Sequence, residues 1–235
     1  MTFILMKKKR IWIANYPEGI TIIDNRYKSY NWIKHSIGNR QSLVNDQVHS
    51  VIEDSDGDLW FGTSNGISLY QSKTGQWHSF LSSFDHQLKN KNHIFITLCE
   101  VSPGIIWAGG YTSGVYKINK RTLSVEYFSP YLLNPDNIRP DKYIRDIVKD
   151  SKGYIWSGGF YNLKCFDLSL NSVRLYPGIN SVTAITERTT DTCGLGQVPD
   201  CICWTKSRVD SNMSPCRKRR PTSTHFTKRK TSLYI

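Results

Sequence analysis

The chain has 235 residues, of which 39% are hydrophobic, 12% aromatic and 21% charged. That length holds one ordinary domain or two small ones, and the composition excludes collagen-like and coiled-coil chains and argues against wholesale disorder. The formal net charge of +12 invites a nucleic-acid reading, but the charge is unevenly spread.

Residues 189–235 hold nine Lys/Arg against three Asp, while 1–188 hold twenty-two Lys/Arg against sixteen Asp/Glu. Cysteines divide in the same way. Cys99 and Cys165 lie in the body; Cys193, Cys201, Cys203 and Cys216 lie in the tail. No apolar run approaches the ~18–20 residues of a membrane span. At the start, the charges of Lys7–Arg10 follow the apolar stretch, whereas a secretory leader has them first. The chain as given is therefore expected to stay in the cytoplasm or not to be made.

The body, 1–188, is a repeat. Trp12, Trp60, Trp107 and Trp156 are spaced by 48, 47 and 49 residues. Gly57-Asp-Leu-Trp60-Phe-Gly62 matches Gly104-Ile-Ile-Trp107-Ala-Gly109 and Gly153-Tyr-Ile-Trp156-Ser-Gly158. A second turn follows each: Thr63–Gly66, Gly110–Gly114 and Gly159–Asn162. The first copy, near 8–30, is worn and lacks its first turn glycine.

Taken in order, the other copies span about 48–80, 94–128 and 144–176, and a fifth starts at 182–188. Each opens with a β-branched run that favours a strand: Val48–Ile52, Ile94–Leu98, Ile144–Val148. Asp54–Gly57 and Asp150–Gly153 read as hairpin turns, because Gly accepts positive φ and Asp tolerates it. The second strand, as in Leu59-Trp60-Phe61, is apolar on both faces and must be covered on both. A third strand (Ile67–Tyr70, Val115–Ile118, Leu163–Phe166) and a fourth (Gln76–Phe80, Ser124–Phe128, Val173–Tyr176) complete the unit. Four-stranded antiparallel sheets with two apolar faces are stabilised by radial packing, the β-propeller solution. The predicted fold is all-β: a partial propeller of about four four-stranded antiparallel blades, followed by an unstructured tail.

The run from Val48 through Asp54-Ser-Asp-Gly57-Asp-Leu-Trp60-Phe-Gly62 to Gly66-Ile-Ser-Leu-Tyr70, with its lead-in Ser42–Val48, resembles the two-component regulator propeller repeat. The resemblance covers roughly residues 10–188. It implies the periplasmic sensor region of a hybrid two-component protein, followed in such proteins by a Tyr-rich β-sandwich, a membrane helix, a histidine kinase and receiver domains. Many members sense oligosaccharides and switch on polysaccharide use, and a homodimeric parent is implied. About four and a half repeats, without leader, membrane helix or kinase segment, read as a non-catalytic piece of such a sensor. Poor solubility is expected, since the end blades would expose apolar faces and strand edges.

Other readings are weaker. No Gly-x-Ser-x-Gly, Walker, His-Glu-x-x-His or kinase signature occurs, so the chain is not expected to be an enzyme. A polysaccharide-active propeller enzyme and a protein-interaction propeller are the alternatives. Asp54, Asp56 and Asp58 could ligate calcium, but the other copies lack the set, and a hairpin turn explains all copies. No cofactor or metal is expected. His35, His49, His78, His86 and His93 read as surface or edge-strand residues. Tyr111, Thr112, Ser113, Phe160, Tyr161 and Asn162 occupy the second turns of successive copies, on one rim. Aromatic faces with hydroxyl and amide groups suit sugar rings, so these six are the candidate ligand contacts. The tryptophans at the repeat spacing read as core.

The tail reads as a reading-frame slip at or just after Arg188. Codons built from the third base of one residue's codon and the first two of the next permit Asp-Gly-Tyr-Leu-Trp-Ile-Gly-Thr-Gly-x-Gly-Leu-Tyr-Leu-Leu-Asp over residues 189–205. That is the missing half of a fifth repeat, with glycines and Trp in register. The basic clusters Arg217–Arg220 and Lys228–Lys230 and the four tail cysteines are then accidental, with no nucleic-acid or zinc role. Sequencing the DNA around codon 188 and beyond should show repeats continuing in the shifted frame. A frame that carries no such repeat would remove this reading.

Overall fold

The computed structural model describes residues 2–5, 10–15, 17–24, 29–82, 93–128, 142–161, 163–176, 179, 181–188 and 201–205. All regular structure among them is strand. Blade 1 comprises β1 (Thr2–Leu5), β2 (Arg10–Asn15), β3 (Gly19–Asp24) and β4 (Ser29–Ile33). Blade 2 comprises β5 (Val48–Glu53), β6 (Leu59–Thr63), β7 (Gly66–Tyr70) and β8 (Trp77–Phe80). Blade 3 comprises β9 (Phe95–Ser102), β10 (Ile105–Gly110), β11 (Val115–Asn119) and β12 (Ser124–Phe128). Blade 4 comprises β13 (Ile144–Lys149), β14 (Ile155–Gly159), β15 (Leu163–Asp167) and β16 (Ser172–Tyr176). Each blade is an antiparallel meander in chain order. The first strands neighbour one another, β1 by β5, β5 by β9, β9 by β13, as in a propeller.

β17 (Ala184–Arg188) continues that series beside β13. Its partner is β18 (Cys201–Thr205), in parallel register from Ala184↔Cys201 to Arg188↔Thr205. These five residues of the tail are thus strand rather than coil. An open strand edge presents unpaired N–H and C=O groups that accept another strand in either direction. The parallel pairing departs from the meander of the four blades.

Apolar clusters sit between blades. Trp12, Ala14 and Ile20 pack on Phe61 and Trp77 of blade 2. Trp60 and Phe80 pack on Phe95 and Ile106 of blade 3, and Trp107 packs on Ile147 and Phe166 of blade 4. Trp156 packs on Val182 and Ile185. Trp60 and Trp156 are 0% exposed, and Trp107 is 2%.

The glycine two residues after each of these tryptophans sets the spacing. A Cβ on Gly62 would lie 2.8 Å from Phe95 O; on Gly109, 2.6 Å from Ile144 Cγ2; on Gly158, 2.6 Å from Val182 Cβ. These obstacles belong to the next blade or to the segment leading into β17, and Ser50 and Thr97 of the first strands crowd Gly62 and Gly109 from within their own blades. Gly66 is needed for a second reason: its φ is +96°, and a Cβ there would meet Phe80 O at 2.6 Å.

The first turns are organised by one aspartate. Asp54 Oδ1 accepts the N–H groups of Asp56 and Asp58, both at 3.0 Å, and Oδ2 accepts Trp60 Nε1–H at 2.9 Å. Asp150 repeats this with Lys152 N at 3.0 Å, Tyr154 N at 2.9 Å and Trp156 Nε1 at 2.8 Å. Blade 3 has Val101 at that place, and the first copy has Met6.

Blade 3 is bolted to the blade 2 turn by Lys120. Its Nζ lies 2.7 Å from Asp54, 2.9 Å from Asp56 and 2.7 Å from Asp58. Burial opposes the ammonium charge, but the hydrogen bonds it donates to the three carboxylates outweigh it and raise the pKa above the ordinary lysine value. A raised lysine pKa contributes stability that is complete below about 10.4 and fades only above it. Lys120→Met leaves the buried Asp54 unpaired and should cost about 3 kcal/mol in urea unfolding. The deficit should be constant between about pH 6 and 9. An unchanged midpoint would show that the latch adds nothing.

Candidate functional site

The first strands of blades 2 to 4 each carry a β-bulge near the start. The register skips His49 between Val48 and Ser50, Ile96 opposite Gly109/Gly110, and Arg145 between Ile144 and Asp146. A bulge re-aims the extra side chain. In blade 2 it brings His49 Nε2 to 2.7 Å from Ser64 Oγ on the second turn. In blade 4, Arg145 Nη1 donates to Tyr143 Oη at 2.6 Å.

Strand starts and second turns share one rim, because a meander returns to the same end every second strand. The rim of blades 3 and 4 is aromatic. Tyr111 meets Tyr143 edge-on, with centroids 4.8 Å apart at 75°. Tyr143 stacks on Phe160 at 4.2 Å and 29°. Tyr111, Phe160 and Tyr161 are 47%, 54% and 46% exposed. Thr112 is exposed and Ser113 half-buried beside them. The turns are held by backbone bonds: Tyr111 N to Ile94 O at 2.8 Å, Gly114 N to Lys142 O at 2.9 Å and Ser181 N to Phe160 O at 3.1 Å.

Of the six residues singled out in sequence, Tyr111 and Phe160 flank one aromatic row. Asn162 lies outside the described residues. The row's central member, Tyr143, and its partner Arg145 escaped the sequence reading. Tyr143 directly precedes the strand run at Ile144, and an aromatic at a strand start beside two aromatic turns was the available signal.

The acidic turn of blade 2 is occupied by Lys120, whose ammonium stands where a cation would. Asp146 is the other notable carboxylate. Burial raises its pKa, against bonds from Ile185 N at 2.7 Å, Ile147 N and Thr97 Oγ1. It ties blade 4 to β17. Among the described residues no cluster of His, Cys, Asp and Glu has the form of a metal site. His93 departs from the surface expectation: it is 2% exposed and lies flat against Phe95 at 6.2 Å. His86 lies outside the described residues.

The two body thiols are not poised as nucleophiles. Burial pushes Cys99 up to about 11 and Cys165 up to about 12.

The comparisons with known proteins agree with this geometry. Residues 42–65 match the family described as the two component regulator propeller. The blades have the propeller fold, and residues 42–65 are the segment similar to that family's repeat. No curated protein matches the chain in sequence. Among solved structures, it is similar to the extracellular domain of BT3049 from B. thetaiotaomicron, described as a hybrid two component system. The identity is 21% and the TM-score 0.60, over 72% of this chain and 22% of that one. The extracellular domain of BT4673 from B. thetaiotaomicron, also described as a hybrid two component system, is 16% identical. Its TM-score is 0.49, over 79% of this chain and 26% of that one. The chain thus spans about a fifth to a quarter of the length of these structures. Among the described residues no helix is long and apolar enough to cross a membrane.

Alkylation at about pH 8 should leave Cys99 and Cys165 unmodified in the folded protein and modify both in urea, read by peptide mass mapping. Rapid native labelling of Cys165 would contradict its burial.

Proposed function

We propose that this chain is the ligand-sensing propeller segment of a periplasmic sensor, whose parent passes the signal to a histidine kinase. The supporting observations are the regulator repeat at 42–65 and the fold shared with the BT3049 extracellular domain. The parent is read as homodimeric. The segment itself is read as non-catalytic. Asp54, Asp56 and Asp58 all engage the Lys120 ammonium, and Asp146 is spent on a backbone N–H.

The sensed ligand is an oligosaccharide, received on the rim of blades 3 and 4. The observation that carries this is the row Tyr111–Tyr143–Phe160, with its outer rings half exposed. Offset aromatic faces take the C–H faces of pyranose rings, while Thr112, Ser113 and the Tyr161 hydroxyl offer hydrogen bonds to sugar hydroxyls. Tyr143 is pinned by Arg145 and stacked on Phe160, so the platform is pre-formed and little ordering opposes binding.

The tail is proposed to be out-of-frame peptide. In blades 2 to 4 the Trp strand runs antiparallel to the first strand, whereas β18 runs parallel to β17. The shifted-frame Leu-Trp-Ile-Gly-Thr would restore the antiparallel order.

Calorimetry with a panel of neutral oligosaccharides should find at least one that binds. Phe160→Ala should weaken it about tenfold, the scale of one lost stacking contact. Thr74→Ala, on an exposed turn between β7 and β8, should leave it unchanged. Binding that survives Phe160→Ala and Tyr111→Ala together would move the site off this rim.

A further inference from the structure

The fourth strand of each blade carries one residue at an equivalent register: Ile33 opposite Ile20, Phe80 opposite Ile67, Phe128 opposite Val115, Tyr176 opposite Leu163. In blades 2 to 4 that residue is a ring that lies on its own blade's tryptophan. Phe80 stacks on Trp60 at 5.6 Å, Phe128 on Trp107 at 4.5 Å and Tyr176 on Trp156 at 5.5 Å. Blade 1 has no ring there. Beside Ile33 a cavity of about 450 Å³ opens between blades 1 and 2, within the range of small-molecule sites. Its walls include Trp12, Trp32, Tyr70 and Trp77. Tyr70 and Trp77 meet at 5.0 Å, and Trp12 lies 6.4 Å from Tyr70. Trp32 is 56% exposed and forms an open face.

The polar lining holds one cation, Lys34, with an indole N–H, amides and the hydroxyls of Ser36, Ser42 and Ser72. Trp12 Nε1 is buried and has no acceptor among the described residues. Its repeat equivalents Trp60 and Trp156 donate to aspartates. Lys34 holds its ammonium 4.8 Å above the Trp32 ring. Gln41 binds Trp77 through both ends of its amide, donating to its O at 3.3 Å and accepting its N–H at 3.0 Å. The Asn39 side-chain oxygen accepts Gln41 N–H at 2.9 Å, which leaves its amide N–H groups as donors. Among the described residues no carboxylate lines the cavity.

We infer that this cavity is a second ligand site, separate from the rim, and that it takes a sugar acid. Aromatic walls suit a pyranose ring. A lysine without a facing carboxylate selects an anionic group, through a charge-assisted bond. Ring hydroxyls accept from the remaining donors, which an aromatic acid would leave unmatched.

The probe is galacturonic acid and its disaccharide, titrated into the full chain by calorimetry, against galactose, galactosamine and benzoate. Galacturonate should bind in preference to all three. Lys34→Gln and Trp32→Ala each alter an exposed side chain, and circular dichroism checks that both fold. Each should weaken galacturonate about tenfold. Lys34→Gln should also bring galacturonate and galactose to similar affinity. Phe160→Ala on the rim should change nothing, so failure here is distinguishable from failure of the rim reading. Absence of galacturonate binding, equal binding of galactose to the wild type, tighter binding of benzoate, or indifference to Lys34→Gln would each overturn the assignment.

Discussion

The glycine two residues after the blade tryptophan governs how blades 2 to 4 meet their neighbours. Gly62, Gly109 and Gly158 lie where a methyl group would strike the next unit, at Phe95 O, Ile144 and Val182. That contact lets the following strand slide under the sheet and brings the indole of Trp60, Trp107 or Trp156 onto its apolar residues. A sheet with apolar residues on both faces, such as β6 with all five residues buried, is stable only with that cover. Blade 1 has Ala14 at the equivalent place, 3% exposed. Close approach and two-faced burial are one constraint seen from two sides.

Polar groups refine this packing, copy by copy. The Asp54 carboxylate closes its own turn, takes the Trp60 indole N–H and holds Lys120 of the next blade. Asp150 does the first two and has no such lysine among its recorded bonds. Val101 can do none of these. At the corresponding interface between blades 3 and 4, Lys149 Nζ instead bonds Val101 O at 2.8 Å. Equivalent positions therefore share apolar packing but not electrostatics, and each interface has its own strength. The bulges at His49, Ile96 and Arg145 act in the same way. They leave the blades alike while pointing three different side chains at the rim.

The rim row shows how the meander builds a site. Tyr111 follows β10, Tyr143 precedes β13 and Phe160 follows β14, so the three come from separate segments. Antiparallel order returns these segments to one end, and the closeness of blades 3 and 4 brings the rings to 4.8 and 4.2 Å. The cavity between blades 1 and 2 arises by the opposite route. There the shared packing position holds an isoleucine, Ile33, and space opens where the other blades stack a ring.

The amino-acid sequence by itself determined the four-copy repeat and the strands of blades 2 to 4. Turn glycines, β-branched runs and a tryptophan every 47 to 49 residues are local signals that repeat. It also placed Tyr111 and Phe160 on second turns, because turn position follows from the same period. It did not reveal β1 at Thr2–Leu5, whose apolar residues carry no turn signal before them. Nor did it reveal the roles of Lys120, Tyr143 and Arg145. Those depend on which residue of one blade faces which residue of the next, 66 and 64 positions away for Lys120 and its partners Asp54 and Asp56. The calcium alternative at Asp54, Asp56 and Asp58 illustrates the difference. Their spacing is visible in the chain, but the ammonium that bridges them arrives only when blade 3 packs on blade 2.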